Sequence, residues 1–306
     1  MSYYIIPTIP DKPYLLWQIE LQAYNLYKLG LLKFFKPLVG SITPSIYARQ
    51  LKEKGIGIEF IKDTRVDKKY IPSIRPNLIK NFLKNNPEIK NIFVIDQDVI
   101  FREFINIDSL LVGDTWHCSD TISYIGSDYV KSKGEEQFKE LCLIVGIDSD
   151  FLISKQKNSG GAQWIIKNST FEFWDKVERD CNTLYAYMIN NEKKYKGDDY
   201  PIQKWCAEMW SLLWNSLMRY DVKINKELEF SWASDSMNRY DKTKILHMAG
   251  IIDNRNGTVF YKGEFINKSP FDLDMNQFIQ NNNTCSKFYA ELIKEYSQVR
   301  NTIHYK

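Results

Sequence analysis

The first hundred residues alternate short apolar runs of β type with segments of helical periodicity, and that alternation leaves few architectures open. "YYIIPTI" reads as a strand ending at Pro7 and Thr8, after which Leu16, Ile19, Ala23 and Leu26 recur at helical spacing. Gly30 stands where that helix would stop. "FKPLVGSI" and "GIEFI" repeat the strand pattern on either side of "PSIYARQLKEKG", a helix opened by Pro44 and closed by Gly55. "SIRPNLIKNFLKNN" is a further helix, with Leu78, Phe82 and Leu83 inward, and it delivers the chain into "NIFVI". This order predicts an α/β fold on a doubly wound, mostly parallel sheet, in which ligands bind beyond the carboxyl ends of the strands.

From about residue 102 the pattern loosens. Loops are expected over 112–134 and 146–163, followed by a strong helix over 199–220 in which Trp205, Met209, Leu212, Leu213 and Leu217 are spaced for burial. "KTKILHMAG" reads as a strand ending in His247, and "KFYAELIKEYSQV" as a terminal helix. No internal repeat, heptad run or convincing linker divides the chain.

The fourth strand, in "NIFVIDQDVIF", ends in two carboxylates, Asp96 and Asp98, with only Gln97 between them. An isolated ionised carboxylate removed from water is far too costly for a strand end to carry, so a cation belongs there. A divalent ion with oxygen ligands, Mg²⁺ or Mn²⁺, is the natural candidate, especially one that also carries a diphosphate. The plainer alternative has Asp96 capping the turn and Asp98 paired with a surface Lys or Arg. The apolar strand before the pair, the three βα units upstream and the apolar "VIF" after it favour the ion.

These residues resemble a known family. "NIFVIDQDVIF" is similar to the DxD signature of glycosyltransferases with the GT-A fold, a Rossmann-like sheet with an irregular acceptor-side half. "YIPSIRPNLIKNFLKNNPEIK", "NSGGAQWIIKN", "WCAEMWSLLW" and "ILHMAG" follow in the order and rough spacing of the hydroxyproline arabinosyltransferase and peptidyl serine galactosyltransferase group. The His-x-x-Gly of "HMAG" also resembles the retaining, glycogenin-like galactosyltransferases. The matching landmarks span roughly residues 65–265, and Gln97 stands where that group usually has Pro. The resemblance implies transfer of a sugar from a nucleoside-diphosphate donor, a UDP-sugar, to a glycan, protein or small-molecule acceptor, with retention. It implies a single domain over 1–270, with a nucleotide-binding half at 1–101 and an acceptor-side half at 102–270, then a helical tail at 271–306.

Carried residue by residue, the resemblance makes Asp96, Asp98 and His247 the metal ligands. A neutral imidazole at a strand end also has its own rationale as a nitrogen donor to Mn²⁺. Gly250 would let backbone approach phosphate, and Gln97 lies within the acidic turn. Arg75 is read two ways, as a partner for phosphate or as a solvated residue before Pro76. Lys262, fifteen residues after His247, stands where the resembling enzymes place a lysine near the diphosphate, or is a surface lysine. Pro7, Thr8 and Ile9 end the first strand, where base and ribose would rest. Asn158, Gly160, Gly161 and Gln163 form a turn into a strand, with amides suited to sugar hydroxyls. Asp199 and Glu208 are candidate catalytic carboxylates beside Gln163, and Glu208 needs a reason to sit among Trp205, Met209 and Trp210. Trp116, Tyr124, Trp164, Trp205 and Trp232 could stack on sugars, though most belong to the core.

Composition closes off other classes. With 306 residues, 44% of them hydrophobic and 26% charged, the chain can bury a large core and disorder is not expected. A net charge of +3, from 41 basic and 38 acidic residues, gives no electrostatic argument for nucleic acid or a membrane surface. Five scattered cysteines without a CxxC pair argue against a disulfide framework and for a reducing, cytoplasmic setting. No apolar run approaches the roughly 20 residues of a membrane-spanning helix, and no leader is expected. A nucleotidyltransferase would also use acidic metal ligands, but "PTIPDKPY" is a poor phosphate loop. A non-catalytic sugar-binding module is the remaining alternative.

Overall fold

The computed structural model describes residues 3–194, 201–251, 253, 257–280 and 282–305. The chain divides into two compact units that interleave in sequence: Tyr4–Ile61, Ile95–Asn106 and Glu227–Lys306 make one, and Met1–Tyr3, Lys62–Val94 and Ile107–Lys226 the other.

In the first of these, strands Thr8–Pro10, Leu38–Gly40 and Glu59–Ile61 form a parallel sheet in that order, with Ile9 opposite Val39 and Val39 opposite Phe60. Helices Pro13–Lys28 and Ile46–Glu53 are the crossovers that parallel pairing demands. Ser45 caps the second, its hydroxyl accepting from the Ala48 N–H. The first helix starts on Pro13, where a missing N–H costs nothing, and every residue from Leu16 to Leu26 is buried. Its sequence shows one apolar stripe because the other face is polar yet still covered. There Asn25 donates to the Phe101 carbonyl at 2.9 Å and accepts from the Phe101 N–H at 2.7 Å.

A second sheet of this unit sets Phe230–Trp232 parallel to Ile245–His247, and Ile245–His247 antiparallel to Val99–Phe101. The terminal helix Ser286–Val299 buries Tyr289, Ala290, Leu292, Ile293 and Tyr296, the spacing of one helical face. They join a core around Trp17, which meets Phe265, Phe271 and Tyr289 edge-on with centroids 6.3, 6.3 and 6.4 Å away.

The other unit orders its strands Asn91–Val94, Gly160–Lys167, Trp116–Asp120, Val222–Ile224. Gly160–Lys167 is buried along its whole length and runs antiparallel to both neighbours, so this sheet is mixed. Helices Ile74–Asn85, Phe171–Asn190 and Ala207–Leu217 pack in the same unit, with Trp174, Trp210 and Trp214 fully buried.

The α/β class is the one the sequence predicts. The segments 112–134 and 146–163 are more ordered than expected, holding strand Trp116–Asp120 and helices Ile122–Ile125, Ser127–Ser132 and Ser149–Ser154. These elements are short, and a strand such as "WHCSD" has no apolar alternation to reveal it. The helix expected over 199–220 is ordered as Ala207–Leu217, preceded by a 3₁₀ turn at Lys204–Cys206. Trp205 lies in that turn, outside the helix's 3.6-residue period, and is 61% exposed instead of buried. Among the described residues no helix is long and apolar enough to cross a membrane.

Candidate metal centre

Strand pairing builds the centre. Val99 lies opposite His247 in the antiparallel ladder, so the turn immediately before Val99 is brought to the imidazole. The turn closes on itself by a 3.3 Å bond from the Val99 N–H to the Asp96 carbonyl, and the Met248 N–H donates to the Asp98 carbonyl at 3.0 Å. Buried Gln22, on the first helix, holds it from below, donating to the carbonyls of Asp96 at 2.9 Å and Val99 at 2.7 Å. The Gln97 side-chain amide donates to the Gln18 side-chain Oε1 at 3.3 Å, which fixes the tip.

His247 Nε2 then lies 3.4 Å from Asp96 Oδ2 and 3.3 Å from Asp98 Oδ1. One donor atom from each of the three residues falls within 4.8 Å of the others. Cis ligands of an octahedral ion at about 2.1 Å stand about 3 Å apart, and the two imidazole–carboxylate distances of 3.4 and 3.3 Å are close to that spacing. Two carboxylate oxygens and one imidazole nitrogen are a donor set suited to Mn²⁺ or Mg²⁺. The Trp232 indole stacks on the imidazole, with centroids 5.2 Å apart and planes at 28°. His247 Nδ1 is buried and has no hydrogen-bond partner among the described residues, so stacking orients this ring in place of the usual acceptor behind a ligating histidine.

A cation is already present. Lys262, at the start of the 3₁₀ turn Lys262–Phe265, forms an ion pair through Nζ with Asp98 Oδ2, the oxygen that does not face His247. Asp98 is 3% exposed, and burial alone would push its carboxyl up. Lys262 and then His247 outweigh that and hold it well below the usual carboxylate range. The same pairing raises Lys262 against its own burial.

Of the remaining expected residues in this unit, Pro7 precedes strand Thr8–Pro10, and Pro7, Thr8 and Ile9 are all buried. Gly250 follows His247 by three residues with φ +87°, and a Cβ there would come within 2.8 Å of Ser234 Oγ. Backbone conformation and space both require glycine at that point.

In the other unit, Arg75 Nη1 meets Glu208 Oε2 at 2.9 Å, and Glu208 is 2% exposed. The Tyr70 hydroxyl accepts from the Glu208 N–H at 2.9 Å and donates to the Trp205 carbonyl at 2.6 Å. This network fastens the start of Ala207–Leu217 to Ile74–Asn85, which answers why a carboxylate sits on an aromatic helix. Asn158 donates to the Val222 carbonyl at 2.7 Å. A Cβ on Gly160 would fall 2.1 Å from Cys118 Sγ, and one on Gly161 2.9 Å from Met209 Cε, so these glycines admit neighbouring protein. Gln163 is fully buried beside the register shift between Cys118 and Ser119, its N–H donating to Ser119 Oγ at 3.2 Å and its side-chain amide without a hydrogen-bond partner among the described residues. Asp199 lies outside the described residues.

Gln18 and Gln22 were not singled out in the sequence, and Trp232, expected among the rings that could stack on a sugar, stacks on His247. The two glutamines are four apart and so share one face of the first helix, which is the signal that could have found them.

No family model matches the chain, and no curated protein matches it. Among solved structures it is similar to the galactosyltransferase LgtC in complex with donor and acceptor sugar analogs, at 13% identity and a TM-score of 0.46, covering 96% of this chain and 95% of that one. It is similar also to the WbbM bifunctional glycosyltransferase in its apo form, at 10% identity and a TM-score of 0.48, covering 96% of this chain and 52% of that one. An active-site mutant of LgtC matches at 14% identity and a TM-score of 0.44, covering 85% and 93%. At these identities and scores the likenesses assign neither a family nor an activity to this chain.

Proposed function

We propose that the chain is a metal-dependent glycosyltransferase that takes its sugar from a nucleoside-diphosphate donor, with a UDP-sugar the first candidate. The observation that carries this reading is the meeting of Asp96, Asp98 and His247 at one strand-paired turn, with donor atoms spaced for a single ion. It joins the resemblance of "NIFVIDQDVIF" and "HMAG" to GT-A enzymes. A Mn²⁺ or Mg²⁺ bound there would supply positive charge to the departing diphosphate. The chain's own residues do the rest. Gln22 and Gln97 fix the turn that carries the carboxylates. Lys262 holds a protonated amine at the site as a second cation for diphosphate oxygens.

Retention is part of the proposal. Glu208 already pairs with Arg75, which weakens it as a base for an acceptor hydroxyl. A retaining transfer places that demand on the leaving diphosphate, with electrostatic stabilisation of the oxocarbenium-like centre.

The test is release of nucleoside diphosphate from a panel of UDP- and GDP-sugars with Mn²⁺, for the wild type, Asp98→Ala and His247→Ala. Slow hydrolysis of one donor, abolished by chelator and in both variants, is the expected result. No release from any donor, together with no Mn²⁺-dependent nucleotide binding, would overturn the reading.

A further inference from the structure

A cavity of about 220 Å³ lies in the unit that holds the acidic turn, lined by Pro13, Trp17, Tyr47, Asn267, Lys268, Ser269 and Arg300. The first helix shows it a different set of residues from those it gives the metal centre: Pro13 and Trp17 line the cavity, whereas Gln18 and Gln22 reach the turn. Its volume is below the roughly 300 Å³ at which drug-sized pockets begin, so it fits a fragment or a single functional group.

Its chemistry selects an anion. Arg300 is held in a two-point grip by Glu20, Nε to Oε1 at 3.0 Å and Nη2 to Oε2 at 3.1 Å, which leaves Nη1 as the guanidinium nitrogen not committed to that carboxylate. The guanidinium also lies over the Phe271 ring, 4.7 Å from its centroid, so its plane is set in advance. Glu20 does not remain as a repelling charge. It is 1% exposed and accepts from the Tyr47 and Tyr296 hydroxyls as well as from Lys54 at 3.2 Å. Two cations, Lys54 and Arg300, therefore meet one satisfied carboxylate, and Lys268 adds a further positive charge to the cavity lining. Lys268 is exposed, forms no ion pair among the described residues, and rests over Phe265 at 5.1 Å. Ser269 Oγ accepts from the Phe271 N–H at 3.1 Å, so its hydroxyl proton is left to donate.

We propose that this cavity binds a phosphate group, as the free ion or on a small ligand, held by Arg300 Nη1, Lys268 and the Ser269 hydroxyl. Two cationic donors and a hydroxyl match a doubly charged tetrahedral oxyanion better than a singly charged carboxylate. None of its lining residues belongs to the acidic centre, and the proposal does not depend on the donor chemistry.

The experiment is a titration of the full chain with inorganic phosphate, followed by calorimetry and by thermal unfolding, at fixed ionic strength against chloride and acetate. EDTA is present throughout, so that the acidic turn holds no ion. Phosphate is expected to raise the unfolding temperature above both controls and to bind one per chain, with affinity falling at least fivefold in Lys268→Ala. That side chain is exposed, and its loss leaves the Glu20–Arg300 pair intact. Arg300→Lys, which keeps charge but not the fork, is expected to weaken phosphate as well. The proposal is overturned if phosphate does no more than chloride, if acetate binds as tightly, or if Lys268→Ala binds phosphate like the wild type.

Discussion

Lys262→Met removes the amine from Asp98 and keeps most of the side chain's length. Asp98 is 3% exposed and Lys262 21% exposed at the side chain, so the pair is buried mainly on the carboxylate side. Breaking a buried pair from one end costs about 3–5 kcal/mol, because the remaining charge is left in a poor solvent. The lower figure applies here, since His247 Nε2 remains 3.3 Å from the other oxygen and the lysine side of the pair is 21% exposed. For a chain of this length about 3 kcal/mol corresponds to a fall of roughly 6 °C in unfolding temperature. A divalent ion at 100 times its dissociation constant returns about 2.7 kcal/mol, close to the whole loss. Calorimetry with EDTA and with Mn²⁺ separates the two effects. The expected pattern is a marked fall for the variant in EDTA and near-complete recovery with Mn²⁺, with Mn²⁺ binding tighter than to wild type because a competing cation is gone. A variant as stable as wild type in EDTA, or a loss that Mn²⁺ does not restore, would show that Lys262 is not the counterion of a metal site.

Arg75→Ala removes the guanidinium 2.9 Å from the buried Glu208 carboxylate and is expected to cost about 3–5 kcal/mol in urea unfolding, whereas the double variant Arg75→Met with Glu208→Leu costs less than either single change. Glu20 is held below its ordinary value because its bonds to Arg300, Tyr47 and Tyr296 outweigh the upward push of burial. Its stabilisation is therefore full above the unfolded value of about 4.3 and is lost as pH falls through the folded one; unfolding temperature should drop as pH falls below about 4, with a shallower slope in Glu20→Gln. Burial pushes the thiols of Cys142 and Cys206 up to about 12, so a thiol reagent at pH 8 should label them slowly in the native protein and at once in denaturant.

The acidic turn was legible because a strand ending in two carboxylates breaks its own burial pattern, and the strand-ending His247 likewise declares its place. Their meeting was not: the pairing of Val99 with His247 joins distant segments, and nothing local in either encodes that register. Gly160 and Gly161 signalled a close approach of backbone to something, and that something is the Cys118 sulfur and the Met209 methyl. Glycine reports the lack of space without naming the occupant. Arg75 and Glu208 each asked for a partner, and sequence spacing cannot show that two charges on separate helices answer one another. Trp205 was misplaced because a 3₁₀ turn shifts phase just ahead of a regular helix.

The most direct measurement is a Mn²⁺ titration followed by electron paramagnetic resonance, with pulsed detection of nitrogen coupling to the bound ion. With nucleoside diphosphate present, the wild type should hold one ion per chain showing imidazole nitrogen coupling; His247→Gln should lose the coupling and Asp98→Asn most of the affinity. A wild type that binds no Mn²⁺ under those conditions, or whose bound ion shows no nitrogen, would contradict a centre made of Asp96, Asp98 and His247.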